Sequence, residues 1–235
     1  MKLKLVILFW TDGKENSTRE TNVKYSWSEL KKLTKYLKSN NVACDNFLFD
    51  FSPNKTHHES IHIPFPLGFY LRSKKLNLVI DRFSENDTLF IFDCDTFFIE
   101  EDYPKVLDLI KNCNENNLYT FDLAKLDEVV SKNYLDEKII NLKNENWSFA
   151  YSGVKSLGPL ANGRLGGMGG VFMIKCKVLK ILNGFDESYE TWGGEDGEIT
   201  NRFMESRIGI IEPQRHFFPF HLYHLSDYNN PLYYK

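Results

Sequence analysis

The 235-residue chain is long enough to bury a sizeable core, and its 42% hydrophobic and 26% charged residues are ordinary for a globular protein. A net charge of −3 leaves no broad basic face, which argues against a nucleic-acid partner. No stretch approaches the roughly 20 apolar residues of a membrane span, and four cysteines without a CxxC pair read as reduced thiols.

In chain order, Leu3 to Trp10 reads as a buried strand, since its apolar run ends at Thr11-Asp12-Gly13 without the small-residue cleavage site of a leader. Thr11 to Thr21 reads as a loop at that strand's carboxyl end. Ser28 to Ser39 carries Leu30, Leu33 and Leu37 at helical spacing. Cys44 to Phe51 is a second strand, and Ser52 to Pro66 is irregular. Phe69 to Arg82 is a helix, and Thr88 to Phe92 is a buried strand closed by Asp93. Tyr103 to Asn112 is a helix with Pro104 in its first turn. Leu118 to Leu123 reads as one strand, and Asp127 to Lys143 as a polar or helical stretch. A glycine-rich loop from Gly163 to Gly170 runs into the strand Val171 to Ile174. Lys175 to Leu182 and Asp196 to Glu205 are helices, and Ile208 to Ile211 is a strand. Alternating strands and helices predict an α/β architecture.

Three groups of residues carry chemistry. Asp93-Cys94-Asp95 places two carboxylates at the end of a buried strand, where ligands of open α/β sheets bind. Close carboxylates repel unless a cation lies between or near them, and Mg²⁺ or Mn²⁺ takes such oxygen ligands together with substrate phosphates. The phosphatase signature DxDx(T/V) does not fit, because Phe97 occupies its last position. Trp192-Gly193-Gly194-Glu195-Asp196 sets an aromatic face and two glycines before paired carboxylates. This suits a site that grips a polar molecule and removes a proton. A helix start would account for the acidic pair, but not for the tryptophan and both glycines. His221 and His224, three residues apart, can each offer an imidazole to a metal. His57, His58, His62 and His216 have no such companions. The glycine-rich loop lacks GxxxxGK(S/T) and precedes a strand, so it is not a P-loop.

From Gly169 to Asp227 the chain resembles the C-terminal region of the galactosyltransferase-type inverting glycosyltransferases of the GT-A fold. These include the β-1,4-galactosyltransferases, chondroitin-synthase-like domains and bacterial capsule and lipooligosaccharide transferases. The resemblance rests on Gly169-Gly170-Val171-Phe172, Asn183-Gly184-Phe185-Asp186-Glu187, Trp192 to Asp196, Asn201-Arg202 and His224-Leu225-Ser226-Asp227, with Asp93 to Asp95 extending it. It implies that Asp95, His224 and, with less support, His221 hold Mn²⁺ (or Mg²⁺) on the donor diphosphate. Asp93 would lie nearer the ribose or sugar, with Asp196 as base and Glu195 as partner of the acceptor hydroxyl. Trp192 would stack on the sugar, and Gly193 and Gly194 would let the donor approach. Gly197 departs from relatives that carry a third acidic residue there, and the lumenal stem, disulfides and anchor of the vertebrate members are not seen.

Thr11, Asp12 and Arg19 after the first strand, and Arg72 and Asn77 before the DxD strand, are candidate donor contacts. The expected architecture is a single GT-A domain over 1–235, with a mixed central sheet flanked by helices. Residues 1–95 would form the nucleotide-sugar half and 96–235 the acceptor-binding, catalytic half. The expected activity moves a hexose or N-acetylhexosamine from a UDP-linked donor to a glycan or glycolipid hydroxyl, in surface polysaccharide or glycoconjugate synthesis. A cytoplasmic location is expected, with the inner face of the membrane as the place to meet a glycolipid. A sugar-phosphate nucleotidyltransferase and a non-catalytic sugar-binding module are the alternatives. The first lacks its glycine-rich basic signature between Thr11 and Arg19.

Overall fold

A computed structural model describes residues 2–11, 18–65, 71–114, 116–138, 141–145, 147–150, 170–190, 194–211 and 217–224. The strands are β1 (Lys2–Phe9), β2 (Cys44–Asp50), β3 (Ile61–His62), β4 (Asp87–Asp93), β5 (Thr96–Phe97), β6 (Asn117–Thr120), β7 (Leu123–Leu126), β8 (Trp147–Ala150), β9 (Val171–Lys175), β10 (Gly209–Ile211) and β11 (Phe220–His221). The helices are α1 (Thr18–Ser39), α2 (Arg72–Ile80), α3 (Tyr103–Asn112), α4 (Glu128–Leu135), α5 (Cys176–Ile181) and α6 (Glu195–Glu205). Among the described residues the strands form a seven-stranded sheet ordered β10-β6-β9-β4-β1-β2-β3 and a four-stranded sheet ordered β5-β11-β7-β8.

The larger sheet is parallel except for β9, which runs against both of its neighbours, β4 and β6. Its apolar runs are continuous because both faces are covered. Successive side chains divide between the two faces. Leu3, Leu5, Ile7 and Phe9 of β1, Phe90 and Phe92 of β4, and Val171 and Met173 of β9 pack with α1 and α3. Val6, Leu89, Ile91, Phe172 and Ile174 face the other way, toward α2, α5 and α6. The smaller sheet builds its own core from Phe97, Ala124, Leu126, Phe220 and Leu222, covered by Val130 of α4. Burying one such Phe is worth roughly 1.5–3 kcal/mol, so the register is strongly specified.

Helix α1 begins ten residues before the expected Ser28 (28 − 18), because Asn22, Val23, Ser26 and Trp27 continue its buried stripe through a polar-looking segment. The single strand expected over Leu118 to Leu123 is two strands, broken at Phe121-Asp122 where the chain passes from the larger sheet to the smaller. The short strands β5, β8 and β11 carried no periodic signal: two residues pair in β5 and β11, too few to show alternation. Cys44, Cys94, Cys113 and Cys176 are all free thiols. No helix among the described residues is long and apolar enough to cross a membrane.

Candidate active site

The end of β4 and the pairing of β5 with β11 assemble the first half of the site. After Asp93 the chain turns through Cys94-Asp95 into β5, which runs antiparallel to β11 with Thr96 opposite His221. The Leu222 amide donates to the Asp95 carbonyl at 2.9 Å, fixing the register beside the carboxylate. His221 Nε2 then lies 3.5 Å from Asp95 Oδ1, and His224 Nε2 lies 3.1 Å from Oδ2. One ligand atom from each of these three residues falls within 4.8 Å of the others. Asp95 is 4% exposed, and its Oδ1 makes no hydrogen bond among the described residues. A buried carboxylate oxygen left in this state is costly, and a cation shared with two imidazoles is the chemistry that would satisfy it.

Burial raises the pKa of Asp95, but His221, His224 and Arg19 outweigh it and hold the carboxyl well below its usual range. Burial lowers His221, which favours the neutral imidazole a metal needs. The triad therefore fits a divalent ion with mixed nitrogen and oxygen ligands. Two imidazoles suit Mn²⁺ better than Mg²⁺, which prefers oxygen and water.

Helices α2 and α6 supply the second half. Arg72, the first residue of α2, reaches Asp196 Oδ2 at 2.7 Å through Nη1 and Asp93 Oδ1 at 3.2 Å through Nη2. The same Nη1 lies 3.9 Å from Glu195 Oε1. One guanidinium thus ties the DxD strand to the acidic start of α6, using the planar fork that arginine offers carboxylates. Enclosure by the pocket, with repulsion from Asp95 and Asp196, brings Asp93 up to about 6 against the pull of Arg72. Asp93, held by Arg72, and Asp95, faced by both imidazoles, stand two residues apart at the end of β4, so the imidazole triad and the Arg72 cluster adjoin in one site.

Glu195 and Asp196 open α6, where the helix macrodipole favours negative charge. Gly194 caps that helix at φ 101, and a Cβ there would lie 2.7 Å from Tyr189 Cε1. Only glycine takes that turn cheaply. Glu195 is 3% exposed, and Asp196 Oδ1 is buried with no hydrogen bond among the described residues. Gly170 walls the other side: its carbonyl accepts from the Asp93 amide at 2.8 Å, and a Cβ on it would stand 2.5 Å from Asp93 Oδ2.

The remaining candidates fall at different distances from this pocket. Arg19, near the start of α1, acts electrostatically on Asp95. Thr11 is buried, and its amide donates to Ser52 Oγ at 3.1 Å. Asn77 turns its amide to the 183–187 turn: Nδ2 donates to the Phe185 carbonyl and to Glu187 Oε1, each at 2.9 Å, and Oδ1 accepts from the Phe185 amide at 2.8 Å. Those bonds anchor the segment leading toward Gly194. Asp12, Trp192 and Gly193 lie outside the described residues, as does most of the glycine-rich loop. Sequence reasoning passed over Gly170 as a wall of the Asp93 site and Lys75 as a buried cation. The first became visible only when β4 paired with β9, and the second is masked in a lysine-rich helix.

The sheet is that of the GT-A glycosyltransferase fold. The catalytic domain of Drosophila β1,4-galactosyltransferase 7, solved with xylobiose, superposes with a TM-score of 0.51 at 15% identity, covering 97% of this chain and 72% of that one. GalNAc-T7, solved with UDP, GalNAc and Mn²⁺, matches with a TM-score of 0.55 at 16% identity, over 96% of this chain and 44% of that one. A mannosyltransferase from Pyrobaculum calidifontis, solved with GDP-Man and Mn²⁺, gives 0.53 at 10% identity, over 97% and 59%. Residues 164–225 match the family described as the N-terminal domain of galactosyltransferase. That match and the fold together class the chain with the glycosyltransferases. No protein of curated function matches the sequence.

Proposed function

We propose that this chain is a metal-dependent inverting glycosyltransferase. It moves a hexose or N-acetylhexosamine from a UDP-linked donor to the hydroxyl of a glycan or glycolipid, in surface polysaccharide or glycoconjugate synthesis. The observation that carries this reading is the shared pocket: a buried Asp95 faced by His221 and His224, beside an Arg72 that joins Asp93 to Asp196. Support also comes from the structural relatives solved with nucleotides or nucleotide-sugars and Mn²⁺.

Asp95, His221 and His224 would hold Mn²⁺ (or, less suited to the two imidazoles, Mg²⁺). Bound there, the ion would neutralise the charge that grows on the diphosphate as the glycosidic bond breaks. Asp93 faces the same space and would take a donor hydroxyl. Arg72 holds Asp196 through Oδ2, which leaves Oδ1 as the atom that accepts the proton of the incoming hydroxyl. The buried Glu195 beside it would orient that hydroxyl. Attack from the face opposite the departing UDP then inverts the anomeric carbon in one displacement. Glycine at 193 and 194 would admit the donor, and Trp192 would stack on the sugar. In this reading residues 1–95 serve the nucleotide and 96–235 the acceptor within one domain, at the cytoplasmic face of a membrane when the acceptor is a lipid.

The test is product analysis with a panel of nucleotide sugars, with and without Mn²⁺. Mn²⁺-dependent release of UDP, together with a glycoside of opposite anomeric configuration, supports the proposal. Release of pyrophosphate indicates nucleotidyl transfer, and nucleotide-sugar binding without turnover indicates a binding module; either outcome removes the proposal.

A further inference from the structure

Lys75 lies one turn along α2 from Arg72 and is 7% exposed. Its ammonium sits 4.9 Å from the ring centroid of Trp10 and 5.7 Å from that of Phe65. Trp10 directly follows β1 and Phe65 follows β3, so this cage stands at the carboxyl ends of the parallel strands β1, β2 and β3. Ligands of open α/β sheets bind at that edge.

Among the described residues no carboxylate pairs with Lys75. Its charged neighbour is a second cation, Arg19 of α1, and burial together with Arg19 brings the ammonium down to about 7. Two aromatic faces attract a cation, but they do not neutralise it, and a buried charge without a counter-ion is destabilising. Leucine or methionine would fill the same cage without that penalty. Leu8 pairs with Asp93 across the parallel strands β1 and β4, so Trp10 and Asp95, each two residues further on, leave the sheet at the same edge, and the Lys75 cage shares that edge with the imidazole triad.

We propose that Lys75, alongside Arg19, binds the phosphate oxygens of the donor diphosphate. This rests on the nucleotide-sugar reading given above. The diphosphate would supply the counter-charge that the described residues do not, and the aromatic cage would hold the ammonium ready for it. Lysine suits this place because a compact ammonium on a long stem serves phosphate as a point charge.

The experiment compares Lys75→Met with the unaltered protein by calorimetric titration of UDP, UMP and uridine in the presence of Mn²⁺, and of Mn²⁺ alone. Methionine keeps the length and fits between two rings, so the fold is expected to hold. Loss of one charge-assisted contact predicts UDP binding weakened about tenfold or more. Uridine and Mn²⁺ binding should be unchanged, and Lys75→Arg should recover most of the UDP affinity. Equal weakening of UDP and uridine, or no weakening at all, overturns the assignment while leaving the donor reading intact. Failure of the unaltered protein to bind any nucleoside diphosphate with Mn²⁺ overturns both.

Discussion

Replacing Gly170 by alanine tests the pocket through its wall. The new Cβ would lie 2.5 Å from Asp93 Oδ2 and 3.1 Å from its Cγ, where ordinary contact begins at 3.4 Å, so the carboxylate must retreat by about 0.9 Å (3.4 − 2.5). The backbone cannot share that movement, because the Asp93 amide donates to the Gly170 carbonyl at 2.8 Å. A retreat of that size either opens the 3.2 Å contact from Arg72 to Asp93 or draws Arg72 away from Asp196, which it holds at 2.7 Å. A charge-assisted bond is worth roughly 1.5–3 kcal/mol. The Asp93 side chain is still 38% exposed, and solvent screening reduces the loss to about 1–2 kcal/mol. That corresponds to a fall in kcat/KM for the donor of roughly 5- to 30-fold. Gly209→Ala is the matched control: its Cβ would meet Asn117 Oδ1 at the same 2.5 Å, far from the pocket on the edge strand β10. It should lower the melting temperature and leave kcat/KM alone. Equal activity losses in both variants, or full activity in Gly170→Ala, would refute the reasoning.

Asp196→Asn keeps the Arg72 contact through the amide oxygen but removes the proton acceptor. Turnover should drop by ~10²-fold or more with UDP affinity nearly unchanged, as read from initial rates and UDP titration; normal turnover would take Asp196 out of that role. Lys75→Met should also stabilise the ligand-free protein at neutral pH. The folded lysine, at about 7, lies below its unfolded value of roughly 10.4. Between those values the unfolded chain binds the proton and the folded chain does not, so the stability of the unaltered protein rises with pH through that window. The advantage of methionine, on the order of 5 kcal/mol below pH 7, should therefore shrink toward pH 10 in denaturant melts; an advantage independent of pH would contradict it.

The architecture was legible because the buried strands announce themselves. Leu5 to Trp10, Leu89 to Phe92 and Val171 to Ile174 are continuous apolar runs, each ending at turn or charge signals. Asp93, Asp95 and the Glu195-Asp196 pair could be chosen from position alone, since strand ends and helix starts are where carboxylates serve ligands. What the sequence could not supply was the long-range pairing. Nothing in Phe220-His221 indicates that it pairs with Thr96-Phe97, yet that two-residue ladder is what carries His221 to Asp95. Arg72 could be suspected but not placed, because its contacts span 21 and 124 residues of sequence. Asn77, read as a donor contact, is placed by the same long-range packing against the 183–187 turn. Lys75 looked like one more solvent-facing lysine, and only the positions of Trp10 and Phe65 reveal it as buried.

Mn²⁺ binding followed by the electron paramagnetic resonance of the free ion, with UDP present, tests the central claim most directly. The unaltered protein should take up one ion per chain, and Asp95→Ala and His224→Ala should each lose that uptake at the same concentrations. Uptake that persists in both variants, or that never occurs in the unaltered protein, would contradict the account.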